Sequence, residues 1–534
     1  MASSTVTGAG KPPTLQQDDP VSVRTWISVA GVLLGAFMAI LDIQITNSSL
    51  KDIQGALSAT LDEGSWISTA YLVAEIVVIP LSGWLSRVFS VRRYLLVNAS
   101  LFLAFSVLCA SAWDLPSMIF FRACQGCAGG VLIPMAFTTL LTKLPRSKQP
   151  IGLALFGVTA TFAPSIGPTI GGWLTENFGW EYIFYLNIIP GLLLIASVYF
   201  TMDPEPMQLG LLKKGDWWGI LAMAIGLGSL QVVLEEGSRK DWFGDQMIVR
   251  LAIVAVVFIA AFLYIELTRN EPFINLRLLM QRNFGAGSLI NVVLGFGLYG
   301  SVYILPLYLA QVQGYNAMQI GEVIMWAGLP QLVISPMVPK LMQRFDPRFI
   351  LFVGTSLFGA SCIMNSTMSN LTGYDQLLWS QIVRALGQPL VMIPLSSLAT
   401  AEIPPGKDTA SASGLFNMMR NIGGSVGIAL LATILTQREH FHSNRLGEAI
   451  SLYSPATQQR LEQLTQLFVS KGADFVTAQK QAMLALSNTV RTEAYVMAFN
   501  DCFFVVGFAL ILSGFLVFFM RKPKSGTGAG GAAH

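Results

Sequence analysis

Five ionisable side chains stand inside long apolar stretches of the sequence: Asp42 in LDIQITN, Glu75 in YLVAEIVVIP, Arg122 in RACQG, Arg384 in RALGQ and Arg420 in RNIGGS. A carboxylate within a membrane span is costly, so it must face a cavity or a partner. Burial favours the neutral form of a carboxyl group, so Asp42 and Glu75 are candidate proton sites. Arginine keeps its charge, which makes Arg122 the candidate partner of either acid.

Each of these residues also has a simpler interpretation. Asp42 could lie at a helix end among lipid headgroups, and Glu75 could be hydrogen-bonded to a neighbouring helix. Arg384 and Arg420 could equally act in function or anchor their segments, because a long arginine side chain can reach the membrane interface. In the segment of Arg420 we also select Asn421, Gly423 and Gly424 as candidate residues.

Six further residues are candidates for a substrate cavity. Aromatic and Met side chains suit an adaptable apolar cavity, and acidic ones could contact a cationic substrate. Each could instead serve in ordinary packing or, for the acids, in a wet span end. The candidates are Phe296, Tyr303, Glu322, Met325, Trp326 and Asp501.

The sequence offers little for enzyme chemistry. Its three histidines all lie outside the apolar segments, and His440 and His442 have no Cys or carboxylate companions that would make a metal site. Cys124 and Cys127 form a Cys-x-x-Cys pair on an apolar helix, where small packing residues are the better interpretation. We therefore expect no catalytic residues, no metal and no cofactor.

The composition indicates a protein that crosses a membrane many times. Of 534 residues, 53% are hydrophobic and 12% charged, against about 25% charged in soluble proteins. Apolar runs of the length that crosses a bilayer recur along the chain. We expect an all-α polytopic protein whose 14 transmembrane helices lie near 26–46, 65–86, 94–112, 116–141, 150–173, 181–201, 217–235, 247–267, 287–311, 318–341, 348–367, 376–399, 410–436 and 496–520.

The distribution of Lys and Arg predicts the orientation. Most of them lie in the two tails and in the loops after even-numbered segments, and few lie in the other loops. Basic loops stay in the cytoplasm, so both tails, 1–25 and the Gly-rich 521–534, are predicted to be cytoplasmic. The net charge of +3 follows from this bias and does not indicate nucleic acid.

An internal repeat divides the chain into two halves. Three sequence echoes share an offset of eight segments: LSRVFSVR at 85–92 with LMQRFDPR at 341–348, Arg122-Ala with Arg384-Ala, and Gly167/Gly171 with Gly423/Gly427. We therefore predict six-helix halves at 26–201 and 284–520, joined by a linker at 202–283 that carries two inserted helices. Parallel six-helix repeats around a path are the plan of a transporter.

The fifth segment contains APSIGPTIGGW, in which proline and glycine interrupt an apolar helix. Small residues let helices approach closely in lipid, and neighbouring helices can satisfy the carbonyl groups that proline frees. A slim, bent helix is expected, and ordinary small-residue packing remains the simpler interpretation. The residues concerned are Gly157, Pro164, Gly167, Pro168, Gly171 and Gly172.

The chain resembles the major facilitator superfamily and, within it, the fourteen-helix drug:proton antiporter family of the EmrB type. The resemblance covers roughly 26–520. It rests on RACQG at 122–126, GPTIGGW at 167–173, NFGWEYIFYLNIIPG at 177–191, DWWGILAMAIGLGSLQVVLEEGSRKDWF at 216–243, NEPFINLRLLMQRNF at 270–284 and LFNMMRNIGGSVG at 415–427.

The resemblance implies a proton-coupled antiporter that exports amphipathic, often cationic drugs across a bacterial inner membrane by alternating access. It makes Asp42 the first-helix acid of the family, assigns Arg122 to proton coupling and makes the fifth segment the antiporter motif, a bending point between the halves. It also implies a periplasmic adaptor and an outer-membrane channel. A dedicated exporter of a siderophore, lipid or fatty acid on the same fold is the alternative.

Two regions need separate mention. The loop after the second segment departs from the family pattern, with Arg87 in place of an Asp and Ser90 in place of a Gly. Residues 438–494 form the one sizeable polar segment, which the predicted topology places in the periplasm. Leu461, Leu464, Leu467 and Phe468 share a helical face there, and 473–486 is also predicted to be helical. Such an amphipathic hairpin could dock a partner or lie on the membrane, and a merely folded loop is the simpler interpretation.

Overall fold

Helices account for all the regular structure in the computed structural model, which describes residues 21–213, 215–269, 272–403, 407–451 and 453–521. Within these residues 14 helices are long and apolar enough to cross a membrane. The predicted all-α, fourteen-helix architecture is therefore confirmed. Most of both predicted tails lies outside the described residues.

The membrane-crossing helices are numbered as spans in chain order. They are span 1 Val23–Ser48, span 2 Trp66–Phe89, span 3 Val91–Ala110, span 4 Leu115–Lys143, span 5 Gln149–Asn177, span 6 Tyr182–Thr201, span 7 Trp217–Glu236, span 8 Gln246–Thr268, span 9 Arg282–Gln311, span 10 Met318–Arg344, span 11 Pro347–Asn365, span 12 Tyr374–Thr400, span 13 Asp408–Ala449 and span 14 Phe475–Phe519. We call the side that holds the start of span 1 the N side and the opposite side the far side.

Shorter helices connect or interrupt the spans. The connecting ones are Leu50–Ala56, Leu61–Gly64, Gly210–Lys213, Trp242–Gly244, Leu276–Met280 and Pro455–Ser470. Span 6 consists of Tyr182–Tyr185 and Ile188–Thr201.

Polar side chains fix where several spans begin. The Asp114 carboxylate accepts a hydrogen bond from the Ser117 backbone N–H at 2.9 Å at the start of span 4. Asp216 caps span 7 through the Gly219 N–H at 3.0 Å, and Asp245 caps span 8. A carboxylate at this position satisfies N–H groups that have no partner inside the helix.

Span 10 is a broken helix. It is composed of Ala317–Ile324, Met325–Ala327, Gln331–Ile334, Ser335–Met337 and Val338–Arg344. Gly328 and Pro330 separate the second and third pieces. Proline removes a helical hydrogen bond and glycine weakens the helix, so the sequence itself explains the break.

The two halves repeat one packing scheme. In the first half the contacting span pairs include 1 with 4, 1 with 5, 1 with 6, 2 with 4, 3 with 4 and 3 with 6. The same pairs recur eight spans later, as 9 with 12, 9 with 13, 9 with 14, 10 with 12, 11 with 12 and 11 with 14. The internal repeat of the sequence is thus a repeat of structure.

The halves meet along two symmetrical lines. Span 2 packs against span 13, and span 5 packs against spans 10 and 12. The inserted spans 7 and 8 pack against each other, and span 7 also contacts spans 2 and 13. The insert therefore lies beside one of the two lines, and the fifth span lies on the other.

The far side carries a helical extension that the span boundaries did not predict. The helix of span 13 is 43 residues long and continues to Ala449, and the last helix begins at Phe475 instead of near 496. Both helices therefore extend through most of 438–494. Pro455–Ser470 packs on the last helix, with Leu461, Leu464 and Phe468 half-buried.

Candidate functional site

A buried ion pair joins span 1 to span 4. The Asp42 Oδ2 atom lies 2.6 Å from Arg122 Nη1, and both side chains are 1% exposed. The Gln125 side-chain amide donates to Asp42 Oδ1 at 3.1 Å, and the Asn187 amide donates to the same oxygen at 2.6 Å. The carboxylate is thus surrounded by donors, as a buried ionised acid requires.

Arg122 also has hydrogen-bond acceptors and aromatic neighbours. Its Nη1 donates to Gln125 Oε1 at 2.7 Å and its Nε to the Ile67 carbonyl at 3.4 Å. The guanidinium carbon lies 4.3 Å from the centre of the Tyr71 ring and 5.8 Å from that of Phe184. A cation over an aromatic face gains further stabilisation.

This geometry decides between the sequence interpretations of Asp42 and Arg122. The headgroup-exposed interpretation of Asp42 is wrong, and Arg122 pairs with Asp42 and not with Glu75. Gln125 and Asn187 were missed as site residues. Both are amides inside apolar spans, and that isolated polarity was the signal that could have found them.

Glu75 connects the two halves. It is buried in span 2, and Asn421 of span 13 donates to its Oε1 at 3.4 Å. The Tyr299 hydroxyl donates to Asn421 Oδ1 at 3.4 Å. Among the described residues no basic group lies within 4.0 Å of the Glu75 carboxyl. The structure therefore matches the interpretation of a glutamate hydrogen-bonded to another helix.

A small cavity lies at the centre, between the halves. Its volume is about 20 Å³, which can hold a water molecule but no drug-sized compound. Both halves contribute to its wall, and three of the sequence candidates are among the lining residues. The lining consists of Ile40, Gln44, Ala160, Thr161, Pro164, Leu298, Tyr299, Val302, Arg384, Gln388 and Arg420.

Two arginines of the second half line this cavity. Arg420 is 3% exposed and Arg384 5% exposed, so the membrane-anchor interpretation of both is wrong. Arg420 Nη2 donates to Asn417 Oδ1 at 2.9 Å. The guanidinium of Arg384 lies 5.7 Å from the centre of the Phe358 ring. The Nε atoms of both arginines are buried without a hydrogen-bond partner among the described residues.

The glycines of span 5 allow it to touch span 1. A Cβ atom on Gly167 would lie 2.5 Å from the Gln44 Cβ atom, and one on Gly171 would lie 3.1 Å from the Ile45 carbonyl oxygen. A Cβ on Gly157 would meet Ile393 at an ordinary 3.5 Å. Pro164, Pro168 and Gly172 are buried within the same helix. Two of the candidate glycines are therefore required for close packing.

The matching glycines of span 13 allow contact with span 9. A Cβ atom on Gly423 would overlap the Val292 carbonyl group, and one on Gly424 would overlap the Tyr299 ring. Spans 5 and 13 thus use glycine in the same way in the two halves, as the repeat predicts.

A chain of buried amides crosses from one half to the other. The Thr161 hydroxyl of span 5 donates to Gln331 Oε1, and the Gln331 amide donates to Gln388 Oε1 at 2.6 Å. Gln331 lies in the broken part of span 10. Span 5 is therefore hydrogen-bonded to the broken span 10, and through it to span 12.

The cavity is closed towards both sides. On the N side, a Cβ on Gly83 would lie 2.7 Å from the Ala410 carbonyl oxygen, so spans 2 and 13 touch. On the far side, Gly321 of span 10 is packed directly on Thr169 of span 5. The two halves are therefore in contact on both sides of the cavity.

The structure does not bring the six predicted substrate-cavity residues to the central cavity. Phe296 packs against Gly427, and the Trp326 indole donates to the Tyr374 hydroxyl at 2.7 Å. The remaining ones are Tyr303 and Met325, both half-buried, and Glu322, which is exposed.

Asp501, the sixth of these residues, belongs to a separate cluster on the far side. Its Oδ2 lies 2.5 Å from Arg438 Nε and 2.8 Å from His442 Nε2. Within the described residues no group of three or more His, Cys, Asp or Glu side chains could hold a metal ion.

The junction between spans 2 and 3 contains the two departures from the family pattern, Arg87 and Ser90. Ser90 has a φ of +67°, a conformation that favours glycine. Ser90 therefore has a backbone conformation that glycine, the residue of the family pattern, adopts without strain. Asp408, at the start of span 13, acts electrostatically on Arg87, so a basic residue here faces an acidic one of the other half.

These features define a class of protein. Two repeated six-helix halves that enclose a closed polar site at their interface are the architecture of a membrane transporter.

The comparisons with known proteins agree. The model of the Major Facilitator Superfamily matches residues 32–428, and the chain belongs to that family. It is 37% identical to the colistin resistance protein EmrB of Acinetobacter baumannii, over 93% of this chain and 97% of the relative. It is 31% identical to the multidrug export protein EmrB of Escherichia coli K12, over 97% and 100%. The chain is an EmrB-like transporter, and small molecules are its substrates.

Two further comparisons concern a relative and a solved structure. The fatty acid resistance protein FarB of Neisseria gonorrhoeae is 29% identical, over 95% of this chain and 97% of the relative. The human organic anion transporter MFSD10 is 12% identical with a TM-score of 0.58, covering 92% of this chain and 99% of that chain. At that identity the likeness concerns the fold alone.

Proposed function

We propose that this chain is a proton-coupled antiporter that exports amphipathic compounds, drugs among them, by alternating access. Its membrane is the bacterial inner membrane, with both termini in the cytoplasm, so the N side is cytoplasmic. The observation that carries the proposal is the fully buried Asp42–Arg122 pair in the first half. An intramembrane ion pair of this kind marks a functional site by default.

The pair links a proton to a conformational change. While Asp42 is ionised, its charge and that of Arg122 cancel, and the site is stable when closed. A proton on Asp42 leaves the Arg122 cation without a counter-charge in a buried site, which is strongly unfavourable. The protein then favours a state in which Arg122 is solvated or finds another acceptor.

Substrate enters from the N side while the acids are ionised. Entry requires the contact of Gly83 with Ala410 to open, together with the hydrogen bond from Ser413 to the Pro134 carbonyl. Release on the far side requires the contact of Gly321 with Thr169 to open. The Gly- and Pro-rich span 5 and the broken span 10 supply the flexibility for that step.

The proton gradient supplies enough energy. One charge that crosses the membrane contributes about 2.3 kcal/mol per 100 mV, and a tenfold substrate gradient costs about 1.4 kcal/mol. One or two protons per cycle can therefore maintain a gradient of tens to thousands-fold.

We further propose that the far-side extension, formed by 437–449, Pro455–Ser470 and 475–495, faces the periplasm and contacts an adaptor protein that leads to an outer-membrane channel. Its surface exposes Leu484, Phe475 and Phe441, and exposed apolar groups of this size suit a protein contact.

The test uses everted membrane vesicles energised by respiration. A lipophilic drug added to vesicles with the wild-type chain should collapse part of the pH gradient, which a pH-sensitive dye reports. Asp42→Asn, Glu75→Gln and Arg122→Ala should each reduce this response. Asp203→Asn is the matched control, because Asp203 pairs with Arg24 at an exposed position.

A loss of the response in Asp42→Asn but not in Asp203→Asn supports proton antiport through the first-half site. An undiminished response in Asp42→Asn, with the protein present at normal abundance, contradicts it.

A second candidate function is a dedicated exporter of one lipid-like acid or siderophore. The fatty acid resistance relative favours it. So do Arg384 and Arg420 of the central cavity, which have no carboxylate within 4.0 Å among the described residues. Vesicles that respond to fatty acids and to no structurally unrelated drug would select this candidate over multidrug export.

A further inference from the structure

The second half contributes two positive charges to the central cavity, and neither forms an ion pair with a carboxylate of the described residues. Arg384 and Arg420 both line this cavity and both are almost fully buried. Arginine remains charged in proteins, and an unpaired buried charge is strongly unfavourable. Among the described residues no carboxylate lies within 4.0 Å of either guanidinium.

The two buried acids of the first half, Asp42 and Glu75, already have other partners. Asp42 is paired with Arg122 and receives two amide hydrogen bonds. Glu75 accepts a hydrogen bond from Asn421 and acts on Arg420 from beyond ion-pair distance. Even with Glu75 ionised, the two arginines leave the cavity with an excess of positive charge.

The arginines also have free hydrogen-bonding capacity. The Nε atoms of Arg384 and Arg420 are buried and have no acceptor in the part of the chain that the structure describes. A guanidinium binds a carboxylate through two parallel N–H donors. Gln388 lines the same cavity, and its side-chain amide could add a neutral donor.

The rest of the wall suits a hydrocarbon body. Ile40, Leu298 and Val302 line the cavity next to the arginines. A ligand with one acidic group on an apolar body would therefore satisfy both kinds of wall once the halves part to admit it.

We propose that Arg384 and Arg420 form an anion site that binds the carboxylate of an amphipathic acid during transport. The inference rests on the proposed export function and names its substrate class. It differs from the expectation of often cationic substrates, because both charges on the cavity wall of the second half are positive.

Two amphiphiles with the same chain and opposite charge test the site: octanoate and octyltrimethylammonium, titrated calorimetrically into the purified full-length protein. The wild type should bind octanoate at least tenfold more tightly than octyltrimethylammonium. Arg384→Gln and Arg420→Gln should each weaken octanoate binding tenfold or more, and Arg384→Lys should recover part of the affinity. Arg445→Gln is the matched control, because Arg445 is exposed and pairs with Glu448; it should change nothing.

A second measurement does not depend on the variants. Octanoate should raise the melting temperature of the wild-type protein, and octyltrimethylammonium should not. Equal affinity for the two amphiphiles, or octanoate binding unchanged in both glutamine variants, overturns the anion site.

The vesicle assay separates this proposal from the export function. If either amphiphile drives proton flux in the wild type and octanoate binding is unchanged in both glutamine variants, export stands and the anion site is overturned. If octanoate binds through the arginines but neither amphiphile drives proton flux, the anion site stands and proton-driven export fails.

Discussion

Arg122 and Arg384 occupy equivalent positions in the two halves, and their surroundings are opposite. Arg122 has an ion pair with Asp42, an amide acceptor, a backbone acceptor and two aromatic rings. Arg384 lies near the Phe358 ring and has no carboxylate within 4.0 Å among the described residues. The arginine of the first half therefore has a counter-charge within the protein. The equivalent arginine of the second half lines the cavity without one among the described residues.

The difference suggests a division of labour. Protonation of Asp42 would remove the negative charge of the buried ion pair. The charge of a cavity arginine without a carboxylate partner could instead be balanced by a ligand. We propose that the first half responds to the proton and that the second half binds the substrate. The predictions that follow test this contrast, starting from the largest expected effect.

Arg122→Ala should destabilise the protein most. It leaves the Asp42 carboxylate buried without its counter-charge, and breaking a buried pair by removing one partner costs about 3–5 kcal/mol. Thermal unfolding of the purified variant measures this. The double variant Asp42→Asn with Arg122→Gln should melt above Arg122→Gln alone, and a double variant that melts lower would argue against the pair.

Arg384→Met should have the opposite effect on the stability of the protein. No described carboxylate loses a partner, and an unbalanced buried charge is removed, so stability should be equal to the wild type or higher by about 1 kcal/mol or more. The melting temperature without substrate is the measurement. A drop as large as that of Arg122→Ala would mean that Arg384 has a structural partner and that the contrast between the halves fails.

Gly423→Ala tests whether glycine is needed for the close contact of spans 9 and 13, as it is for that of spans 1 and 5. The added methyl group would overlap the Val292 carbonyl, and overpacking costs about 1–3 kcal/mol. Gly157→Ala is the control, because its methyl group would have ordinary contacts. Equal melting temperatures for the two variants would contradict the close packing of spans 9 and 13.

Ser90→Gly should have the smallest effect, a gain in stability of about 1 kcal/mol. Glycine removes the strain of a side chain at a φ of +67°. Part of this gain is lost because glycine also increases the conformational entropy of the unfolded chain. Ser111→Gly, at a φ of −104°, is the matched control and should not stabilise. Equal gains for both would exclude the backbone explanation.

The fold was largely predictable from the sequence because the membrane constrains it in one dimension. Length and hydropathy located all fourteen spans, and the repeat of Arg122-Ala as Arg384-Ala gave the two halves. Hydropathy did not show the far-side extension, because polar helices that leave the membrane have the hydropathy of loops. Helical periodicity did predict helices within 438–494, and the structure has them at Pro455–Ser470 and from Phe475 onwards.

The candidate site was predictable only in part. Burial physics selected Asp42, Glu75 and Arg122, but the partner of Glu75 is Asn421, which depends on how the halves pack. The cavity wall depends on helix rotation. Tyr299 lines the cavity on span 9, between the predicted Phe296 and Tyr303, and nothing in one sequence told which face of that helix points inwards.

The most direct test of the account measures binding and proton flux side by side in Asp42→Asn reconstituted into proteoliposomes. We expect octanoate affinity within about twofold of the wild type, since a twofold change is well under the 1.4 kcal/mol of a tenfold one, together with loss of octanoate-driven proton flux. Proton flux that persists in this variant would contradict the central claim that the Asp42–Arg122 pair couples export to the proton.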